Sequence, residues 1–186
     1  MTLKAPARAE SGLETKFVAL DALEADLDKG RIAGYASLFG EPDQAGDVVA
    51  RGAFAASLAA TEAARRRVKF LWQHQPETPI GVWTRIEEDG AGLKVEGLIL
   101  AEVTRGADAI ALLKAGAIDG LSIGYRTIRA APNAETGGRT LHEIDLWEVS
   151  LVTFPLLPTA RASLESRETS GTDEFERALA AAFAFA

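Results

Sequence analysis

Ser122 lies in the stretch Gly120-Leu121-Ser122-Ile123-Gly124-Tyr125-Arg126, where bulky side chains alternate with small ones. In a strand, Leu121, Ile123 and Tyr125 take one face and Ser122 takes the other between two glycines, so nothing bulky is expected to shield its hydroxyl. Such a serine could attack an acyl group if a base takes its proton and a third group orients that base. It could equally be a packed serine whose hydroxyl bonds a neighbour. The pattern is also Gly-x-Ser-x-Gly, which in α/β-hydrolases marks a nucleophile on a strand-to-helix elbow. Here Tyr125-Arg126-Thr127-Ile128-Arg129 continues with β-branched and aromatic residues before Pro132 and Gly137-Gly138, which places Ser122 within a strand.

The candidate partners are few. The chain holds 2 histidines, His74 and His142, and no cysteine, which excludes thiol nucleophiles, disulfides and thiolate metal sites and leaves a cytosolic setting unopposed. His74 ends the apolar alternation Val68, Phe70, Trp72. Glu148 falls, by parity, on a face with Ile144, Leu146, Ser150 and Val152, where a carboxylate needs a partner. Each has a plainer reading: an edge histidine, a packed serine, a carboxylate paired with an arginine. Asp43 and Asp47 lie in the turn-rich run Glu41 to Asp47, where carboxylates commonly bond their own backbone, and no further ligand completes an oxygen cage for a metal.

The elements that must position these residues are mostly strands. Lys16 to Leu20, Arg31 to Phe39, Val68 to His74, Ile80 to Ile86, Leu93 to Leu100, the Ser122 stretch and Thr140 to Val152 read as strands, with a turn at Glu88-Asp89-Gly90 and a halt at Gln75 to Pro79. Ala53 to Ala59 reads as a short helix. A second helix is expected from Thr104, as N-cap, to about Ala115, with Gly116 as its stop. Residues 1–15 read as a flexible arm, 16–162 as the one folded domain, and 163–186 as a Ser/Thr/Glu-rich linker followed by an Ala/Phe-rich tail able to form a short amphipathic helix.

Composition sets the outer limits. With 186 residues and 47% hydrophobic content there is enough apolar surface for one real core. The net charge of -7 and the lack of a basic stripe argue against nucleic acid. No segment approaches about 18 consecutive apolar residues, so neither a membrane span nor a signal peptide is expected, and the protein reads as soluble.

Five segments in order resemble the HK97-like prohead (capsid maturation) proteases of tailed bacteriophages: Gly34-Tyr35-Ala36-Ser37-Leu38-Phe39, Asp47-Val48-Val49-Ala50-Arg51-Gly52-Ala53-Phe54, Leu71-Trp72-Gln73-His74, Gly120 to Tyr125, and Leu146-Trp147-Glu148-Val149-Ser150-Leu151-Val152-Thr153-Phe154-Pro155. The resemblance runs from about Gly34 to Pro158. That family is similar in fold to the herpesvirus assembly protease, which implies a mainly β (α+β) architecture, a small antiparallel β-barrel with surrounding helices. The reading of about seven short strands and few helices agrees.

The resemblance further implies that 16–162 is a protease domain with Ser122 as nucleophile, His74 as general base and then acid, and Glu148 as third member. His142 stays an alternative for that third place, because the herpesvirus relatives use a second histidine there. It implies a serine endopeptidase, with no metal or cofactor required. The substrates would be the major capsid protein, the scaffolding segment and the enzyme itself, inside an assembling prohead in the bacterial cytoplasm. Neither nucleic acid nor membrane is an expected partner, and a homo-oligomer is left open. Two other readings compete: an α/β-hydrolase-type esterase using Ser122, Glu135 and His142, and a non-catalytic assembly module whose serine is structural.

Overall fold

Apolar residues at every second position define the sheet that carries the site. In the computed structural model, which describes residues 14–19 and 24–153, the elements run β1 (Glu14–Ala19), β2 (Glu24–Asp26), β3 (Arg31–Leu38), β4 (Val48–Val49), α1 (Ala55–Ala63), β5 (Lys69–Trp72), β6 (Gln75–Glu88), β7 (Gly92–Ile99), α2 (Thr104–Lys114), β8 (Gly120–Pro132) and β9 (Arg139–Val152). The strands form one sheet in the order β1-β8-β9-β5-β6-β7-β3-β2, with β4 paired to β9 outside that path. β3 also comes back against β1 and β8, so the sheet curls upon itself as a partial barrel. The described residues are thus mainly β with few helices. Most pairs are antiparallel, but β9 pairs in parallel with both β4 and β5, where an antiparallel barrel was expected.

Phe70 of β5 and Trp83 of β6 stack at 4.0 Å between ring centroids. The Trp83 indole Nε1–H donates to the carbonyl of Val149 at 3.3 Å, giving its polar edge a partner inside the core. Gly97 makes room for this indole: a Cβ there would meet the Trp83 ring at 2.6 Å. Leu121, Ile123, Tyr125, Val149 and Leu151 join the same cluster, so the core-facing side of β8 and β9 is fixed by apolar burial.

Three expectations shift at the level of elements. β6 begins at Gln75 and runs through Pro76 and Pro79, where a halt was expected. The β5–β6 register slips at Phe70/Leu71 and again at Leu71/Trp72, and a bulged pairing tolerates prolines that a regular ladder would reject. Thr104 is the first residue of α2, and Val103 holds the cap position without a side-chain bond, while Gly116 ends the segment at φ 66 as expected. β2 and β4 were not foreseen, being too short for any period to register. The expected linker and tail, 163–186, and most of the N-terminal arm lie outside the described residues.

β1 is held by one charged cluster. Glu14 Oε2 accepts from Arg139 Nη2 at 2.5 Å, and Glu14 Oε1 accepts from the Thr127 hydroxyl at 2.5 Å. Arg139 also donates from Nε to both oxygens of Asp47, at 3.2 and 3.0 Å. Burial raises the Glu14 pKa, but the bonds from Arg139 and Thr127 outweigh it and hold the group below the usual glutamate range. A carboxylate depressed in the folded state contributes stability that is present above its unfolded pKa and lost as pH falls through the folded value. Amide exchange across the β1–β8 pairs, corrected for intrinsic rates, is therefore expected to accelerate as pH drops below about 4. Glu14→Gln should remove much of that acid dependence, and an unchanged profile in the variant would show that β1 is held by something else.

Candidate active site

Ser122 stands opposite Ser150 in the β8–β9 pairing, and Gly124 stands opposite Glu148. Directly opposed residues share a face, so Ser122, Gly124, Glu148 and Ser150 line the side of the sheet away from Leu121, Ile123, Val149 and Leu151. Ser122 is within a strand, as its sequence suggests, but it is not open: its exposure is 0%. The lack of bulky residues on its own strand did not account for the neighbouring strands, with Ser150 on one flank and the backbone of residue 17 in β1 on the other. Ser122 Oγ has no hydrogen-bond partner among the described residues. A buried hydroxyl without a partner costs about 1–3 kcal/mol and calls for a reason.

Glu148 reaches this face through a bulge. Gly124 pairs with Glu148 but Tyr125 pairs with Leu146, so Trp147 is the extra residue on β9. Parity reverses there: Ile144 and Leu146 point into the core before it, Val149 and Leu151 after it. Glu148 is therefore not on the face of Leu146, as simple alternation suggested, but on the face of Ser122. Trp147 is turned outward at 41% exposure, its indole N–H on Asp145 at 2.8 Å and the Arg126 guanidinium 5.4 Å from its ring centre.

Glycine is required opposite the acid. A Cβ on Gly124 would overlap the Glu148 Oε1, Cδ and Cγ atoms, so the side chain lies directly over the bare backbone of β8. The second glycine of the Gly-x-Ser-x-Gly pattern thus serves the carboxylate, in place of the tight elbow turn that the pattern marks in α/β-hydrolases.

His74 is delivered by a turn. Gln73 and His74 are the two residues between β5 and β6, with φ of 51 and 59, and Trp72 pairs with Gln75 across them. Two consecutive left-handed residues match a type I′ hairpin, which suits strand twist but usually employs asparagine and glycine. With L side chains each such residue costs about 1–2 kcal/mol, so outside contacts must hold the turn. Gln73 N–H donates to the Leu151 carbonyl at 2.9 Å, and the Gln73 side-chain amide donates to the Thr153 hydroxyl at 2.6 Å. His74 N–H donates to Ser150 Oγ at 3.2 Å. The His74 imidazole Nδ1 then lies 2.5 Å from Glu148 Oε1, and the other carboxylate oxygen, Oε2, accepts from the Ser150 hydroxyl at 2.5 Å. His74 had been read as the end of a strand face. It is a turn residue, and its imidazole meets the acid for that reason.

The remaining candidates lie elsewhere. His142 is partly buried near the far half of β9, skipped by the pairing that joins Glu143 to Arg129 and Leu141 to Ala130. Glu135 is exposed in the turn between β8 and β9, its N–H on Asn133 Oδ1 at 3.0 Å. No helix follows Ser122, since β8 continues to Pro132, so the esterase reading loses both its elbow and its Ser-Glu-His grouping. Asp43 Oδ1 accepts from the backbone N–H groups of Ala45 and Asp47, each at 2.9 Å, the local bonding expected of a turn carboxylate. Ser150, Gly124 and Gln73 had not been singled out. A glycine inside a strand pattern was the one available hint, because it marks close approach of another group.

A buried serine sharing a face with an imidazole–carboxylate pair has the form of a serine hydrolase site. The chain belongs to the caudovirus prohead serine protease family, whose sequence profile matches residues 18–175. It is 33% identical over 132 residues to the prohead protease of Enterobacteria phage HK97, covering 70% of this chain and 57% of that protein. It is 29% identical over 127 residues to the prohead protease of Escherichia phage T5, covering 67% of this chain and 58% of that one. The chain thus spans less than two thirds of the length of these relatives. Among solved structures it is similar to the capsid assembly protease of bacteriophage T4, with a TM-score of 0.61 and 12% identity over 77% of this chain and 98% of that one, a likeness of fold.

Proposed function

We propose that this chain is a serine endopeptidase of prohead maturation, with Ser122 as nucleophile, His74 as general base and then acid, and Glu148 as the group that orients the imidazole. The observation that carries this reading is the His74 Nδ1–Glu148 Oε1 contact of 2.5 Å on the sheet face that Ser122 shares. With Nδ1 engaged by the carboxylate, the imidazole is held in the tautomer whose Nε2 carries the lone pair that accepts a proton. Ser122 Oγ attacks the peptide carbonyl, its proton passes to His74 and on to the leaving amine, and water then hydrolyses the acyl-enzyme by the reverse route. Family membership supports capsid and scaffolding proteins as substrates, with the enzyme itself as another, inside a prohead assembling in the bacterial host. The curled sheet with few helices supports the further reading of a herpesvirus assembly protease-like barrel.

The test is labelling by a fluorophosphonate, followed by co-expression with a major capsid protein from the same source genome. Covalent modification at Ser122 and a shortened capsid product are expected. A folded protein that neither labels nor cleaves would make this an assembly module with a structural serine.

The third member of the triad is separable by substitution. Glu148→Gln is expected to lower the labelling rate by roughly 10³- to 10⁴-fold without abolishing it, since serine and base remain. His142→Ala is expected to stay within about tenfold of wild type, or about 1.4 kcal/mol in the barrier. The opposite pattern would transfer the orienting role to His142.

A further inference from the structure

We propose that Ser150 is a positioning residue of this site, acting through Glu148 and the backbone of His74; the proposal rests on the Ser122–His74–Glu148 reading. Its hydroxyl has one proton to give and lone pairs to receive. It gives the proton to Glu148 Oε2 at 2.5 Å and receives the His74 N–H at 3.2 Å, with 0% exposure. It thus bonds both the acid and the main chain of the base.

Two weak points of the site meet at this hydroxyl. The terminal torsion of a glutamate is broad, so a carboxylate bonded only through Oε1 can rotate away from the imidazole. Glu148 is 5% exposed, so an Oε2 that lost Ser150 would have little solvent to replace it. The second weak point is the turn, where His74 has φ 59 and gains from any bond that holds its N–H in place. Register makes the arrangement possible. Ser150 follows Glu148 by two residues, hence the same face, and stands opposite Ser122, so the hydroxyl that orients the acid sits beside the nucleophile. The pairing of β5 with β9 sets Trp72 beside Leu151, which brings the returning turn onto Ser150.

The test compares Ser122→Ala, Ser150→Ala, Glu148→Gln and the Ser150→Ala/Glu148→Gln double variant by their rates of modification with a fluorophosphonate. Ser150→Ala is expected to slow labelling roughly 10- to 100-fold, the scale of a misplacement of about 1 Å. In the Glu148→Gln background the same change should cost clearly less, because the part of its effect that runs through the carboxylate is gone and only its hold on the His74 N–H remains. A second readout is the imidazole spectrum of ¹⁵N-histidine-labelled protein, simple to assign with 2 histidines in the chain. The His74 Nδ1 proton resonance, deshielded by the short contact to Glu148, should move upfield or broaden in Ser150→Ala while the His142 signals stay in place. Wild-type labelling in Ser150→Ala, or an equal loss in both backgrounds, would overturn the proposal. Undiminished labelling of Ser122→Ala would instead overturn the reading of the site on which it rests.

Discussion

Ser122→Ala is expected to eliminate fluorophosphonate labelling and capsid processing while leaving the protein at least as stable as wild type. The two effects have one origin. Ser122 Oγ is buried without a partner among the described residues, so the folded state carries a desolvated hydroxyl that contributes nothing to cohesion. Removing it should relieve part of a cost of about 1–3 kcal/mol, set against the loss of a few dispersion contacts. Alanine fits wherever serine does, and the core-facing side of β8 is untouched. Chemical denaturation should therefore give a midpoint equal to or above that of wild type. A clear loss of stability would mean that the hydroxyl is satisfied in solution and that its role is structural. Retained processing would remove the nucleophile assignment outright.

Gly124→Ala is expected to be nearly as damaging to activity, although it adds one methyl group to a residue with no chemistry of its own. The new Cβ would occupy the space of the Glu148 carboxylate. The strand backbone is fixed by pairing on both sides, so the end of the Glu148 side chain is what gives way, and the His74 contact is lost with it. The labelling rate should fall to about the level of Glu148→Gln, roughly 10³-fold below wild type. Stability should change by less than about 2 kcal/mol, because a flexible side-chain terminus absorbs the overlap. Wild-type labelling in this variant would show that the carboxylate does not need to lie over residue 124.

What could be read beforehand divides along physical lines. The strand around Ser122 was legible because Leu121, Ile123 and Tyr125 bury one side of it, and period-two burial leaves a strong trace. The placement of Glu148 was legible as a need for a partner but not as a direction. A single bulged residue, Trp147, reverses every later side chain, and nothing in the local pattern announces it. His74 was misplaced at the end of a strand because glutamine and histidine are poor turn formers, and their turn is held by contacts from Ser150, Leu151 and Thr153, more than seventy positions away. Local sequence cannot report a turn whose stability comes from such distant residues. The five resembling segments point to the three residues proposed for the site, but they offer no reason for Gly124 and no role for Ser150.

The position of β9 at the end of the described chain sets an order of assembly. Residues leave the ribosome in order, so Ser122 and His74 emerge before the strand that carries Glu148 and Ser150. Until that strand inserts between β8 and β5, the turn bearing His74 lacks its contacts to Ser150 and Leu151, and the imidazole lacks its carboxylate. A partly synthesised chain therefore holds a serine and a histidine with nothing to align them. On the proposed reading, the site is completed in the same event as the long-range pairing of the sheet, and its alignment waits on the last described strand.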